Sequence, residues 1–330
     1  MLPGWFQAWT RAFASDGITL LALRRNGRCI ALVPLRRGRH SLLSATNEQS
    51  PEFSLVAEDD AAASALAVAM FAYRPSAVRL DLLEDRGGLV DLVQAAETAR
   101  YRTLVRTRLR SPYLEICGSW AAYRARLKRK TRHEVDRLSR RLAAQGELAL
   151  DVADGTTRLD ELLVEGFGIE TSGWKTVSGT AVVSRPQTMA FYRGVARWAA
   201  DRGMLSLAFL RLDGRAVAFS FGLEHAGVYY VLKGGYDLAF RRHGPGIVLR
   251  HALVARAFEQ RLARYEFLGA DEPWKIVWTE TVRERSRLEA FAPSGVGLAS
   301  WAASRYARPL ARRLRGSVVR PPGIREGGRA

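Results

Sequence analysis

Residues 204–233 read MLSLAFLRLDGRAVAFSFGLEHAGVYYVLK, and apolar residues alternate along the segments on both sides of Asp213-Gly214. Asp-Gly between two such segments is a strong signal for a two-residue hairpin turn. A second short turn at His225 to Gly227 leads into VYYVLK. The stretch therefore predicts a three-stranded antiparallel meander.

Helical spacing flanks the meander on both sides. The preceding segment 186–203, PQTMAFYRGVARWAADRG, repeats apolar residues every three or four positions and ends at Gly203. After the meander, a stripe from Val248 to Leu262 predicts another helix, and YEFLG at 265–269 predicts a strand. The predicted order is helix, three strands, glycine-containing loop, helix and strand.

The amino-terminal part repeats this order. A helix over GWFQAWTRAFA precedes a hairpin at Asn26-Gly27, a helical stretch near 60–72 and a strand from Ala77. We therefore predict two copies of one fold. In place of the glycine loop the first copy has TNEQSPEF, which places Glu48 and Glu52 where an anion would bind. Only the second copy is expected to bind an anionic cofactor.

The glycine loop lies in AFRRHGPGIVL, residues 239–249. A helix N-terminus carries unpaired amides and the positive end of the helix dipole, so it favours a phosphate. A P-loop is excluded because no lysine follows Gly246, and a dinucleotide fingerprint is excluded because Leu249 replaces its third glycine. Arg241-x-x-Gly244-x-Gly246 remains as a phosphate-loop candidate, with an ordinary turn as the alternative.

Composition and charge restrict the classes of protein to which this chain can belong. The 330 residues suffice for two domains, and 48% are hydrophobic. We expect a soluble cytoplasmic protein, since neither a signal peptide nor a long apolar span is visible. Only two cysteines occur, and no metal-binding spacing is visible. The net charge of +18 favours an anionic partner, although arginine so outnumbers lysine that coding bias contributes. The five lysines are Lys128, Lys130, Lys175, Lys233 and Lys275.

Residues 116–146 include SWAAYRARLKRKTRHEVDRLSRRLAAQG, which predicts one long amphipathic helix with a strongly basic face. One interpretation is a solvated helix packed on the domain. The other is that Arg126, Lys128, Arg129 and Arg132 guide a phosphorylated substrate or contact an anionic membrane surface. The segment 301–330, rich in Arg, Gly and Pro, predicts a basic helix and a disordered tail that would add to that surface.

Four segments in order carry a family resemblance: YRARLKRKTRHEVDRLSRRLAAQG, GIETSGWKTVSGTAV, LKGGYDLAFRRHGPGIVL and YEFLGADEPWK. Together they resemble the CelD-like acetyltransferases, which are tandem GNAT proteins distantly related to Fem-type peptidoglycan aminoacyltransferases. The resemblance covers roughly residues 110–290. It implies an α/β (α+β) fold of tandem GNAT-like domains, each a mixed, mostly antiparallel sheet flanked by helices. The implied division is a degenerate half over 1–115, the basic helix over 116–146, an acyltransferase half over 147–300, and the tail over 301–330.

The resemblance also implies site residues. The glycine loop matches the GNAT loop that holds the coenzyme A pyrophosphate. The expected catalytic residues are Glu170 as general base, Lys175, Tyr236 and Lys275. The expected cofactor-binding residues are Leu232, Lys233, Arg241, Arg242, His243, Gly244, Pro245 and Gly246. The expected substrate-binding residues are Trp174, Asp237, Asp271 and Trp274. Trp274-Lys275 replaces the Tyr-Lys common in the family, and no tyrosine lies between Tyr265 and Tyr306 to protonate a departing thiolate.

Three hypotheses for function follow. The first is an N-acyltransferase that uses acetyl-CoA or another acyl-CoA, with no metal, to acylate an amine of a small molecule or of a saccharide used in polysaccharide synthesis. The second is a Fem-like transferase that takes an amino acid from a charged tRNA bound by the basic helix. The third is a non-catalytic scaffold for polysaccharide synthesis, which the missing tyrosine favours.

Overall fold

The structure is a computed structural model that describes residues 2–14, 17–84, 88–172, 182 and 185–307. The chain forms two compact units. The larger unit comprises Met1–Ile18, Asn47–Pro51 and Leu109–Arg285, and the smaller comprises Thr19–Thr46, Glu52–Arg108 and Ser286–Ala330. Two predicted site residues, Trp174 and Lys175, lie outside the described residues, as does the tail beyond Ala307.

The described helices are α1 (Pro3–Phe13), α2 (Asp60–Ala72), α3 (Gly88–Thr98), α4 (Trp120–Arg126), α5 (Arg129–Ala143), α6 (Leu159–Ser172), α7 (Pro186–Ala200), α8 (Pro245–Glu259), α9 (Pro273–Ile276) and α10 (Gly295–Ala302). The strands are β1 (Thr19–Arg25), β2 (Arg28–Arg37), β3 (Ser41–Ser44), β4 (Val56–Ala57), β5 (Ala77–Glu84), β6 (Arg102–Glu115), β7 (Leu148–Ala153), β8 (Leu205–Leu212), β9 (Arg215–His225), β10 (Val228–Tyr236), β11 (Arg264–Glu266) and β12 (Val282–Phe291). A 3-10 helix spans Leu238–His243, and a π-helical turn spans Ala303–Ala307. Within the described ranges, no helix is both long and apolar enough to cross a bilayer.

The predicted meander is confirmed as β8, β9 and β10. Its first turn has φ values of 48° at Asp213 and 78° at Gly214, as a type I′ hairpin requires. Strands β8 and β9 are buried along nearly their whole length. Such burial arises because α6 packs on one face of the meander and α8 on the other.

The larger unit orders its strands β7-β8-β9-β10-β11, and the last residues of β6 pair with β11. All these neighbours are antiparallel except β10 and β11, which are parallel and joined by α8. A mixed, mostly antiparallel sheet flanked by helices is the predicted fold class, and it is confirmed.

The smaller unit follows the same order along the chain. Strands β1, β2 and β3 are antiparallel neighbours, α2 follows, and β5 returns parallel to β3. The Asn26-Gly27 turn has φ values of 51° and 80°, matching the turn of the larger unit. The sequence repeat therefore corresponds to a structural repeat.

The units differ from the predicted division at both chain ends. Helix α1 belongs to the larger unit, because its Trp5 packs edge-on against Phe191 of α7 with ring centroids 4.9 Å apart. The end of β12, from Ser286, belongs to the smaller unit. Apolar contacts between α1 and α7, and not proximity in the sequence, therefore determine the unit to which α1 belongs.

The basic segment forms two helices, so the prediction of one long helix is wrong. The chain is extended at Leu127 and Lys128, with ψ values of 145° and 135°. Leu127 packs against the core, and the break lets α4 and α5 each contact α8. The apolar stripe of α5 is buried at Val135, Leu138 and Leu142, which supports the interpretation of an amphipathic helix packed on the domain.

Gly244 is where α5 meets the start of α8. Its φ is 60°, and a Cβ at this position would lie 2.7 Å from Cδ1 of Leu138. Left-handed backbone costs roughly 1–2 kcal/mol for a residue with a side chain, and the contact with Leu138 adds to that cost. Pro245 then occupies the first helical position, where its fixed φ suits a helix start.

Gly244→Ala is expected to lower the free energy of unfolding by about 1–2 kcal/mol or more. Gly168→Ala is the matched control, because Gly168 lies in α6 with open space where a Cβ would stand. The control should raise stability by about 0.5–1 kcal/mol. Urea denaturation of both variants measures the difference, and equal midpoints would contradict the assigned conformation of Gly244.

His251 of α8 lies between two tryptophans, with ring centroids 5.0 Å from Trp120 and 6.3 Å from Trp278. Its Nε2 is buried without a hydrogen-bond partner among the described residues. Burial lowers the pKa of His251 below its ordinary 6.5, and Arg124 lowers it further. The unfolded chain therefore binds a proton at a higher pH than the folded protein does.

Stability should consequently fall as the pH drops below about 6.5, because the unfolded state takes up the proton first. His251→Phe keeps an aromatic ring between the tryptophans and removes this titration. We expect the urea midpoint of the wild type to fall more than that of the variant between neutral and mildly acidic pH. If the urea midpoints of the wild type and the variant fell by the same amount across this range, His251 would not contribute to the pH dependence of stability.

Candidate active site

Strands β10 and β11 pair over three residues only, from Val228↔Arg264 to Tyr230↔Glu266. Strand β11 then ends, while β10 continues beside β9 as far as Tyr236. The register between β10 and β9 shifts between Val231 and Lys233, which makes Leu232 a bulged residue. We call the opening between residues 231–236 of β10 and the chain after Glu266 the wedge.

Glu170 lies on the α6 side of the wedge. Its side chain is fully buried, and Oε2 accepts a hydrogen bond of 2.8 Å from the amide of Val182. Gly235 permits this position, because a Cβ there would lie 2.6 Å from Cα of Glu170. The missing side chain of one glycine therefore brings a buried carboxylate against β10.

Tyr192 and Lys233 lie on the same side as Glu170. The Nζ of Lys233 is 5.3 Å from the ring centroid of Tyr192, and the Tyr192 hydroxyl donates to Oε1 of Gln49 at 3.1 Å. Burial raises the pKa of Tyr192 well above its ordinary value, and the Glu170 carboxylate raises it further. Tyr192 is therefore a neutral hydrogen-bonding group at physiological pH.

Arg250 and Tyr265 lie on the α8 side of the wedge. Arg250 is 7% exposed, and its Nη1 donates to the hydroxyl of Tyr265. Its guanidinium carbon is 5.3 Å from the ring centroid of Trp274. Burial raises the pKa of Tyr265, although Arg250 opposes that shift. The two long sides of the wedge thus carry a buried anion and a buried cation.

The glycine loop lies at the open end of the wedge. Arg241 and Arg242 are exposed, and α8 begins without a side-chain cap. The Gly246 amide has no hydrogen-bond acceptor among the described residues, whereas Pro245 contributes no N–H. A Cβ on Gly246 would lie 3.2 Å from the ring of Tyr236. This helix start offers one open amide and two cations to an anion. The need for glycine at positions 244 and 246 is explained by close packing against Leu138 and Tyr236.

Three residues beside this loop have local partners. Asp237 caps the 3-10 helix by accepting from Ala239 N at 2.9 Å, and it pairs with Arg215 at 2.5 Å. Tyr236 packs on the α8 side, away from Glu170. The half-buried ring of His243 lies 6.3 Å from that of Phe240. These contacts are structural, and the catalytic role of Tyr236 and the substrate-binding role of Asp237 stay predictions.

The residues after β11 form a separate cluster. Lys275 is 5% exposed, and its Nζ donates to the carbonyls of Leu268 at 2.7 Å and Ala270 at 3.0 Å and pairs with Glu272 at 2.9 Å. Trp274 is 42% exposed and donates to Glu272 at 3.0 Å. Asp271 pairs with Arg110 at 3.2 Å. The contacts of Lys275 are those of a residue that orders the loop.

Sequence reasoning missed Tyr192, Arg250 and Tyr265 as site residues. A partial signal existed for Arg250, which lies four residues before Val254 and seven before Ala257, in a second apolar row of α8. An arginine in such a row is a candidate for burial, but the burial itself depends on the strands that pack against the helix. In the described part of the chain, no cluster of three His, Cys, Asp or Glu side chains could hold a metal ion.

Comparisons with known proteins show which family and which folds the chain is similar to. Residues 129–276 match the acetyltransferase (GNAT) domain family. No curated protein matches the chain.

Solved structures show the same fold at low sequence identity. The C-terminal DUF2156 domain of a putative lysylphosphatidylglycerol synthetase from Agrobacterium fabrum has a TM-score of 0.56 at 12% identity, covering 90% of this chain and 91% of that one. FemX has a TM-score of 0.56 at 12% identity, covering 86% and 90%. The L-PGS of Bacillus licheniformis has a TM-score of 0.55 at 11% identity, covering 96% and 97%. Residues 129–276 are thus similar to the GNAT acetyltransferase domain family, and the chain shares its fold with these three solved structures.

Proposed function

We propose that the protein transfers an acyl group from a coenzyme A thioester to an amine. The observation that carries the proposal is the wedge between β10 and β11, which has a bulge at Leu232 and the buried carboxylate of Glu170 on its α6 side. Because β10 has no pairing partner on this side beyond Tyr230 among the described strands, an extended pantetheine arm would lie beside it there. Leu232 and Lys233 would line that arm.

The start of α8 would hold the pyrophosphate. Arg241 and Arg242 are exposed cations, the Gly246 amide is open, and the helix dipole adds positive potential. These groups fit a diphosphate, although Pro245 removes one amide from the loop. We expect the two arginines to contribute much of the affinity for coenzyme A.

Glu170 would act as the general base. In the reaction the amine nitrogen bonds to the acyl carbon, the carbon–sulfur bond breaks, the nitrogen loses a proton, and the thiolate gains one. Glu170 would take the amine proton directly or through water, and Tyr192 and Lys233 beside it would help position the amine. Tyr265, whose hydroxyl lies on the opposite side, replaces the family tyrosine as the candidate acid.

The acceptor is proposed to be an amine of a small molecule. The resemblance to CelD-like transferases favours an amino sugar or another saccharide precursor. Trp174 and Lys175 come shortly after Glu170 in the sequence, so both are proposed as substrate contacts. Asp271 and Trp274 remain proposed contacts at the end of the wedge near β11.

An aminoacyl-tRNA donor is the second candidate. Between Trp120 and Ala143 the chain carries nine Lys and Arg residues against two carboxylates, a density that suits a nucleic acid backbone. Leu138 also lies against Gly244 and would limit the access of coenzyme A to one side of the proposed pyrophosphate loop. Consumption of a charged tRNA, with no consumption of acyl-CoA, would favour this candidate.

The donor site is tested by the double variant Arg241→Gln, Arg242→Gln. We expect at least about a tenfold loss of affinity for coenzyme A by isothermal titration, since hydrogen bonds to charged groups contribute about 1.5–3 kcal/mol each. Arg202→Gln is the control, because Arg202 is exposed in the turn before β8, whose first residue pairs with Leu223 of β9 and not with the strand end that leads into α8. Unchanged affinity in the double variant would reject this loop as the pyrophosphate site.

The general base is tested by Glu170→Gln, which keeps an acceptor for the Val182 amide. Thiol release from acetyl-CoA with a panel of amino sugars should slow by about a hundredfold or more, while coenzyme A affinity stays unchanged. Glu161→Gln changes an exposed carboxylate on the same helix and serves as the control. Full activity of Glu170→Gln would remove Glu170 from the mechanism, and absence of turnover in the wild type with every amine would favour the scaffold hypothesis.

Lys275→Met separates a catalytic role of Lys275 from a structural one. Because three acceptors around its ammonium would lose their donor, we expect a loss of about 1–3 kcal/mol in stability and faster amide exchange in residues 268–272. Lys233→Met is the comparison variant. It removes a lysine whose ammonium lies over the ring of Tyr192 in the wedge, and not one that hydrogen-bonds to the carbonyls of residues 268–270. A stable Lys275→Met variant that loses turnover would instead assign Lys275 to catalysis.

A further inference from the structure

Arg250 is a buried cation without a carboxylate partner among the described residues. Its Nη1 donates to Tyr265, whereas its Nε is buried and makes no hydrogen bond to the described chain. Aromatic rings of Tyr265 and Trp274 flank the guanidinium at 5.9 Å and 5.3 Å. These rings lessen the cost of burial but do not neutralise the charge.

Two other charged side chains that are largely withdrawn from water have ion-pair partners. Arg211, which is half-buried, contacts Asp151 at 2.9 Å and Glu165 at 2.8 Å. In the smaller unit, the buried Glu289 is held by two arginines. A buried charge with no partner is strongly unfavourable, and folded chains rarely retain one without a use. Arg250 therefore marks a place where an anion is expected.

The position of Arg250 restricts where that anion binds. Its Nη2 lies 3.7 Å from the point where a Cβ on Gly234 would stand, so the guanidinium reaches β10 at the wedge. Arg250 is five residues beyond Pro245, which is about 7–8 Å down the axis of α8. This distance separates Arg250 from the helix start where the pyrophosphate is proposed to bind.

The free edge of Arg250 favours a carboxylate. With Nη1 bound to Tyr265, the Nε and Nη2 groups remain on one edge of the guanidinium, and two parallel N–H donors match the two oxygens of a carboxylate. Glu170 lies on the opposite, α6 side, where the amine is proposed to enter. A carboxylate on the α8 side would therefore belong to the acyl donor.

We propose that the wedge selects an acyl group that ends in a carboxylate, with Arg250 binding that carboxylate. This inference rests on the proposed function, because it assumes a coenzyme A thioester in the wedge. The preferred donor class is then the coenzyme A thioester of a dicarboxylic acid, and acetyl-CoA would leave the charge of Arg250 unpaired. Arg250 is a specificity-determining residue in this account.

The test compares succinyl-CoA with butyryl-CoA, which have acyl chains of the same length but end in a carboxylate and a methyl group. By isothermal titration, the wild type should bind succinyl-CoA at least about tenfold more tightly. Arg250→Met should abolish this preference and leave the affinity for free coenzyme A unchanged. Arg256→Met, on the same helix, should retain the preference.

Equal affinity of the wild type for the two thioesters would overturn the inference, as would an intact preference in Arg250→Met. The wild-type comparison decides the question even where the variant does not fold. Failure of free coenzyme A and of both thioesters to bind would instead reject the proposed function. A melting temperature of Arg250→Met at or above that of the wild type would further support a ligand-binding role, because a purely structural arginine would lower it when removed.

Discussion

The structure depends on the short parallel pairing of β10 with β11. After three residue pairs the ladder stops, and β10 continues alone beside β9. A parallel pair must be joined by a crossover, and α8 provides it. Because the crossover helix begins where β10 ends, its positive N-terminus lies at the mouth of the opening that the two strands leave. The wedge and its electrostatic environment are thus consequences of one topological step.

Charged side chains reach that opening from opposite faces. Gly235 lets α6 approach closely enough to place Glu170 at the strand, and Arg250 from α8 reaches the neighbouring Gly234 on the other face. Both charged side chains are withdrawn from water, so their interactions with a ligand would be stronger than at a surface. In the proposed reaction, Glu170 acts on the acceptor and Arg250 selects the donor. This separation explains how one narrow opening would distinguish its two substrates.

Much of the architecture could be predicted from sequence, because turns and helix starts are local. Asp213-Gly214 and Pro245 are signals that depend on few neighbours, and the structure has the hairpin and the helix there. The break at Leu127 was not predictable, since it arises from packing against α8. The resemblance predicts a catalytic role for Lys275, and that role stays a prediction, but the resemblance does not reveal that carbonyls from its own loop lie around the ammonium. Arg250 was missed because its burial depends on strands distant in sequence.

Hydrogen–deuterium exchange with and without coenzyme A would locate the donor site, because it reports where the ligand contacts the backbone. We expect slower exchange in two segments of the larger unit, Leu232–Tyr236 of β10 and the first turn of α8 at Gly246 and Ile247. Exchange in the hairpin of β1 and β2 should remain unchanged. Protection that spares the wedge, or that appears in the smaller unit instead, would contradict the assignment of this opening as the donor site.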